Sequence, residues 1–366
     1  MRILAVDVGT GTQDILLFDP EQPIENALQM VMPSPTQIAA GRIRRATAAR
    51  RTVALTGTIA GGGPCHWALE DHLRAGLSAY ATPKAATTFD DDPAHVREMG
   101  ITIAAEDELA RLDADRITLR DLDLGAIRAA LAAFDVSGDF DGFAIGCLDH
   151  GAAPPGYSDR LFRFAHLRSV VERRNDLRAF PCLPRALPEY LTRARALVTA
   201  VQDEAPAVFL DTGPAAALGA LQDDVVRGTD RQTVLNLGNM HALCFDLRGT
   251  AITSLYEHHT GELTSEQIED FSERLPSRTL KHEEVFNTKG HGVFYAAGEN
   301  LEPGTQNRVI AVTGPQRGKL RGSRLEPYFA VPHGDMMLSG CFGLLWAFAV
   351  KHPEHADAIL PALGVR

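Results

Sequence analysis

Val6-Asp7-Val8-Gly9-Thr10-Gly11-Thr12-Gln13-Asp14 interrupts an apolar opening, with Ile3, Leu4 and Ala5 before it and Ile15-Leu16-Leu17-Phe18 within the run that follows. Two glycines and two threonines break any 3.6-residue period, so residues 2–19 read as a strand, a glycine turn and a second strand. Glycine lets backbone N–H groups approach phosphate oxygens with no Cβ in the way. Thr10 and Thr12 add hydroxyl donors, and Asp7 offers the oxygen ligand that Mg²⁺ takes, directly or through water. The same residues also compose an ordinary polar hairpin turn. A dinucleotide fingerprint fits less well, because its third glycine is Asp14 here and the next segment is a strand rather than a helix.

The chain has 366 residues, which sets a prior of two domains of roughly 150–200 residues each. Its formal charge of −11 argues against a partner nucleic acid or an anionic membrane surface. The N-terminus has no signal-peptide pattern and no apolar run approaches ~20 residues, so a cytoplasmic protein is expected. The five cysteines, at 65, 147, 182, 244 and 341, are never closer than the 35 positions between 147 and 182. That spacing excludes a disulfide framework, a zinc motif of neighbouring cysteines and the local cysteine triplet of a radical iron–sulfur activase.

Outward from the opening, 52–56 reads as a buried strand leading through Gly61-Gly62-Gly63-Pro64 into a helix over about 65–77. Residues 141–147 form another short strand that delivers Asp149-His150-Gly151 at its C-terminal end, where open α/β sheets place ligands. A helical, Arg-rich stretch covers about 160–200. The boundary is expected at 205/206, giving domains 1–205 (with insertions) and 206–366. The second half opens with strand 207–210, Asp211-Thr212-Gly213-Pro214 and a helix over 215–221. Strands 233–237 and 242–247 flank Gly238-Asn239-Met240-His241, and strand 308–312 leads to Thr313-Gly314-Pro315 before a helix over 340–350. Each half thus opens with a glycine-bent strand pair that can face the other across a cleft.

Those segments, in that order, resemble the actin-like ATPase superfamily of acetate and sugar kinases, heat-shock chaperone ATPase domains and actin. Val6 to Thr12 is similar to its first phosphate loop, Leu210 to Gly219 to its first connecting helix, and Leu235-Asn236-Leu237-Gly238-Asn239 to its second phosphate loop. Ile310 to Arg317 resembles the adenosine loop, and Gly334 to Phe348 the second connecting helix. A closer resemblance is to a family within that superfamily labelled pyruvate formate-lyase activating enzymes. It is carried by Gly61-Gly62-Gly63-Pro64, Asp149-His150-Gly151, Asn236-Leu237-Gly238-Asn239 and Glu257-His258-His259-Thr260. The resemblance implies an α/β fold of two ribonuclease H-like domains with ATP and Mg²⁺ in the interdomain cleft. It implies phosphate contacts from Gly9, Thr10, Gly11, Thr12, Gly238 and Asn239, an adenosine border at Gly314, and Mg²⁺ organised by Asp7. By the same resemblance Asp211 is the proton acceptor in transfer of the γ-phosphate to a bound alcohol or carboxylate. The residue type alone also suits a helix N-cap. Asn236 stands where the superfamily carries Asp, which argues against efficient ATP hydrolysis.

Histidines 150, 241, 258, 259, 291 and 333 lie in segments read as loops. Asp149, His150, His258 and His259 are candidates to orient a substrate, or a metal site together. If 257–259 is extended, however, the adjacent histidines point to opposite faces. Arg160 is either a bidentate clamp for an anionic substrate or a surface ion-pair partner. The leading expectation is a Mg-dependent phosphotransferase acting on a small metabolite. Its alternatives are an ATP-driven activator of a partner protein and a non-catalytic binding member of the fold.

Overall fold

In the computed structural model, which describes residues 1–297 and 307–365, every residue of Ile3–Val8 is buried because the strand is paired on both edges and covered on both faces. It pairs antiparallel with Thr12–Phe18, which sets Asp7 directly opposite Asp14, and parallel with Gly142–Cys147. Leu28–Pro33 and Ala207–Leu210 complete a five-stranded sheet in the order 28–33, 12–18, 3–8, 142–147, 207–210. The second sheet repeats the pattern. Arg231–Leu237 is antiparallel to His241–Arg248 and parallel to Arg308–Thr313, with Ala251–His259 and Tyr328–Phe329 outside them and Gly292–Tyr295 added at one edge.

Two helices lie between the sheets. Thr212–Ala220 and Ser339–Lys351 are apolar around almost their whole circumference and buried along nearly their whole length, as helices with protein on all sides must be. They cross with backbone against backbone: a Cβ at Gly219 would overlap the Ser339 carbonyl, and one at Gly343 the Ala215 carbonyl. One apolar cluster joins the inner faces of both sheets to both helices, including Leu16, Ala144, Leu218, Phe245 and Phe348, and each sheet carries a further cluster on its other face.

Three expectations shift. Strand 207–210, placed in the second half by its sequence position, is hydrogen-bonded to Gly142–Cys147, so the first sheet extends past the expected boundary at 205/206. The strand–glycine–helix unit at 52–77 belongs to a third, parallel sheet (Ile101–Ile103, Ala79–Ala81, Val53–Gly57, Asp115–Leu119), inserted into the first half with its own core. The Arg-rich stretch is α-helical over Asp159–Arg173 and Thr192–Thr199, with single 3₁₀ turns at Leu177–Ala179 and Pro184–Ala186 between them. Pro181, Pro184 and Pro188 stand between, and each removes a backbone donor that a continuous helix would need.

Candidate functional site

The Asp7–Asp14 pair lies at the bottom of a cleft between the halves. Asp7 Oδ1 accepts a 2.6 Å hydrogen bond from Thr212 Oγ1, at the start of the first inter-sheet helix. The second helix meets the same carboxylate, and any side chain at Gly340 would overlap it. Both aspartates are buried, and Asp14 Oδ1 has no hydrogen-bond partner. Burial pushes Asp7 up to about 6 against the lowering by Thr212, and burial followed by the Asp7 charge pushes Asp14 up to about 8. Two carboxyls that resist ionisation side by side, one with an orphan oxygen, suit a hard dication, which would neutralise both.

The glycine turns face each other above this pair. Gly9 N–H donates to the Thr12 carbonyl and Gly238 N–H to the His241 carbonyl, each at 2.9 Å. These two glycines therefore shape their turns and do not offer their own N–H groups to a ligand. Gly11 lies so close to Asn239 that a Cβ would overlap its amide. Gly9, Thr10, Thr12, Gly238, Asn239 and Gly314 line one cleft of about 830 Å³, open to solvent. Asn236 lines it too, its Oδ1 accepting from Thr313 Oγ1 at 3.3 Å. The second turn thus presents an amide, not a carboxylate.

An adjoining cavity shares Thr10, Leu148, Arg193, Met240 and His241 with the cleft, and its further lining includes Gly61–63, Asp91, Asp149 and His150. Arg193 is held at this junction by Asp121 (2.6 Å) and the Leu148 carbonyl (2.7 Å). Asp149 accepts from Gly151 N–H (2.8 Å) and Ala194 N–H (2.9 Å), so both oxygens fasten the loop that carries His150. Asp91 is pushed up to about 6, first by burial and then by the charge of Asp149.

Three of the expected site residues are held away from both cavities or by other partners. Asp211 borders neither cavity. Its oxygens accept from Arg163 Nη1 and Nη2 at 2.5 and 2.9 Å, and Oδ1 also caps Gly213 N–H, so each oxygen has a partner and the residue caps the helix. Arg160 donates to the carbonyls of Phe286 (3.1 Å) and Gly290 (2.7 Å) and stacks on the Phe286 ring, tying two segments together instead of clamping an anion. His258 turns to Thr288 Oγ1 (3.1 Å) and borders neither cavity, because strand alternation sends it to the face opposite His259.

His259 instead joins His150, His241 and His291. One ring nitrogen of each lies within 4.8 Å of the other three, and this is the metal-competent group of His, Cys, Asp and Glu side chains found among the described residues. Glu257 lies behind it, 2.9 Å from His291 Nδ1 and paired with Arg163 at 3.1 Å. Burial alone would raise Glu257; the Arg163 charge overcomes that and holds it well below the usual carboxylate range. Sequence reasoning did not single out Arg163, Arg193 or Asp91 as site residues, nor pair His241 and His291 with His150. The histidines were visible as residues but not as neighbours, since His150 and His291 are 141 positions apart (291 − 150).

A family model described as "Putative pyruvate format-lyase activating enzyme (DUF1786)" matches residues 60–319. No curated protein matches. Solved structures similar to the chain include a Listeria monocytogenes protein described as a putative N-acetylmannosamine kinase, 10% identical over 96% of this chain and 99% of that one, TM-score 0.35. Another is a Bacteroides thetaiotaomicron protein described as having an actin-like ATPase fold, 6% identical over 93% and 95%, TM-score 0.36. A third is the ethanolamine utilization protein EutJ of Carboxydothermus hydrogenoformans, 12% identical over 94% and 89%, TM-score 0.32. Among the described residues no helix is long and apolar enough to cross a membrane.

Proposed function

This chain belongs to the family so described and has the actin-like ATPase fold; from that premise we propose that its cleft binds ATP with Mg²⁺ and that the γ-phosphate passes to a small metabolite in the adjoining cavity. The observation that carries the reading is the Asp7–Asp14 pair, buried, mutually repelling and short of one partner, directly below two facing glycine turns. These residues fit Mg²⁺: Asp7 and Asp14 would hold it, and when bound it supplies charge neutralisation to the phosphates. The Thr10 and Thr12 hydroxyls and the Asn239 amide offer donors to phosphate oxygens from both sides of the cleft. Arg193, fixed by Asp121, keeps a positive charge at the junction of the two cavities, where a transferred phosphoryl group would cross. With Asp211 and Asp149 committed, Asp91 is the carboxylate in the adjoining cavity poised to accept a proton near neutral pH.

The test is calorimetric titration with ATP, with and without Mg²⁺, for the parent, Asp7→Ala and Asp14→Asn, followed by ADP release with candidate acceptors. Saturable Mg²⁺-dependent binding that both substitutions weaken is expected; no binding at millimolar ATP would remove the reading. Asp91→Asn should lower turnover and leave ATP affinity unchanged. Asn236 favours one second reading, an ATP-bound switch acting on a partner protein, because the second turn lacks a carboxylate to activate water. That reading expects tight ATP binding with slow release of phosphate until the partner is added.

A further inference from the structure

We infer that His150, His241, His259 and His291 form a binding site for one divalent first-row transition ion of the zinc class, joining the two halves of the molecule beside the cleft. His150 follows the strand Gly142–Cys147 of the first sheet, whereas His241 and His259 belong to strands of the second and His291 precedes its edge strand. Across this junction His150 Nε2 and His241 Nε2 lie 3.2 Å apart. The rings of His241, His259 and His291 gather with centroids 4.8 to 5.2 Å apart.

The polar accounting of the cluster is incomplete without an ion. His291 Nε2 is buried with no hydrogen-bond partner, the state an unmatched ligand nitrogen would have. The outer contacts are those of metal-bound imidazoles. His259 Nδ1 lies 3.0 Å from the Lys289 carbonyl, which can only accept, so that nitrogen carries the hydrogen and Nε2 keeps its lone pair. His291 Nδ1 faces the Glu257 carboxylate, the usual backing for a histidine ligand. The adjacent Arg163, Asp211 and Glu257 are all buried, and one cation against two anions leaves a net negative charge that a dication offsets. Four nitrogen donors without thiolate select zinc, cobalt, nickel or copper and reject Mg²⁺ and Ca²⁺.

The inference is independent of the proposed function and its test keeps the two apart. Chelator-stripped full-length protein is titrated with Zn²⁺ and, separately, Co²⁺. One equivalent per chain is expected, with visible Co²⁺ bands of nitrogen ligation and no thiolate charge-transfer band. His259→Ala and His291→Ala should each weaken Zn²⁺ at least tenfold, and Glu257→Gln about 10–100-fold. Asp14→Asn should leave Zn²⁺ binding intact, and excess Mg²⁺ should not displace Co²⁺. Zn²⁺ should also slow hydrogen exchange at residues 149–151 and 238–241 together in the parent. Substoichiometric binding, a thiolate band, displacement by Mg²⁺, or binding equal in the parent and the histidine variants would each overturn the site. The Co²⁺ spectrum and exchange are read on the unaltered protein, so a variant that fails to fold does not shelter the idea.

Discussion

Replacing Asp14 by Asn should stabilise the cation-free protein, and the gain should grow with pH. Asp14 is raised from 3.8 to about 8 by burial and the Asp7 charge. A carboxyl whose folded pKa is raised contributes stability that is complete below its unfolded pKa and is lost as pH rises through the folded one. Between those limits the unfolded chain releases a proton that the native chain keeps, costing about 1.4 kcal/mol per pH unit. From pH 5 to 8 the parent should therefore lose up to about 4 kcal/mol that the Asn variant does not, less whatever Asp7 absorbs by titrating as a pair with it. Urea unfolding followed by the fluorescence of Trp346, which is buried, gives the difference directly in chelator-containing buffer. Buried histidines add an opposite slope below about pH 6.5, but equally in both proteins, so subtraction isolates Asp14. Mg²⁺ at pH 8 should recover the parent's loss and leave the variant unmoved. A variant less stable than its parent at pH 8, or a gap that does not change with pH, would refute the claim that this carboxyl resists ionisation.

Gly11→Ala should push the Asn239 amide out of its place in the cleft and weaken Mg-ATP by about tenfold, roughly 1.4 kcal/mol, by calorimetry. Arg163→Met should destabilise the fold by roughly 3–5 kcal/mol, because Asp211 and Glu257 are left buried and unpaired; a loss below 1 kcal/mol in urea unfolding would count against the network. His166 is lowered to about 4, first by burial, so below about pH 6.5 the unfolded state gains a proton that the folded state refuses, a loss opposed by the raised carboxyls Asp7, Asp14 and Asp91. Between pH 6.5 and 4 His166→Gln should therefore lose less stability than the parent, by up to about 3 kcal/mol in urea unfolding, and equal losses would count against a buried neutral His166.

What was legible in the sequence was local. The two strand–turn–strand units and the two inter-sheet helices announce themselves through glycine bends and apolar runs within about 20 residues. The third sheet did not, because Ala79–Ala81 and Ile101–Ile103 are three residues long and carry no usable period. The edge membership of Ala207–Leu210 depends on a partner some 60 residues earlier, which no local pattern encodes. The site divides in the same way. Thr10 and Asn239 sit in the two turns, with Asp7 and Thr12 in the strands that flank the first, whereas the surroundings of Asp211 are set by Arg163, one of four arginines on Asp159–Arg173. Composition cannot say which of the four points inward. Alternation did separate His258 from His259, but only topology brings His291 beside them.

The helices between the sheets carry a mechanical consequence. They touch through backbone twice, Gly219 against Ser339 and Gly343 against Ala215, four residues apart on each helix. Two contacts that leave no room for a Cβ fix the crossing more firmly than one would. Ser339–Lys351 also meets Asp7 at Gly340 and sets the Phe348 ring where a Cβ on Gly142 would have to stand. The helix therefore works as a brace between the carboxylates of the cleft and the base of the strand that leads to His150, and a methyl group added at either crossing glycine would be felt at both.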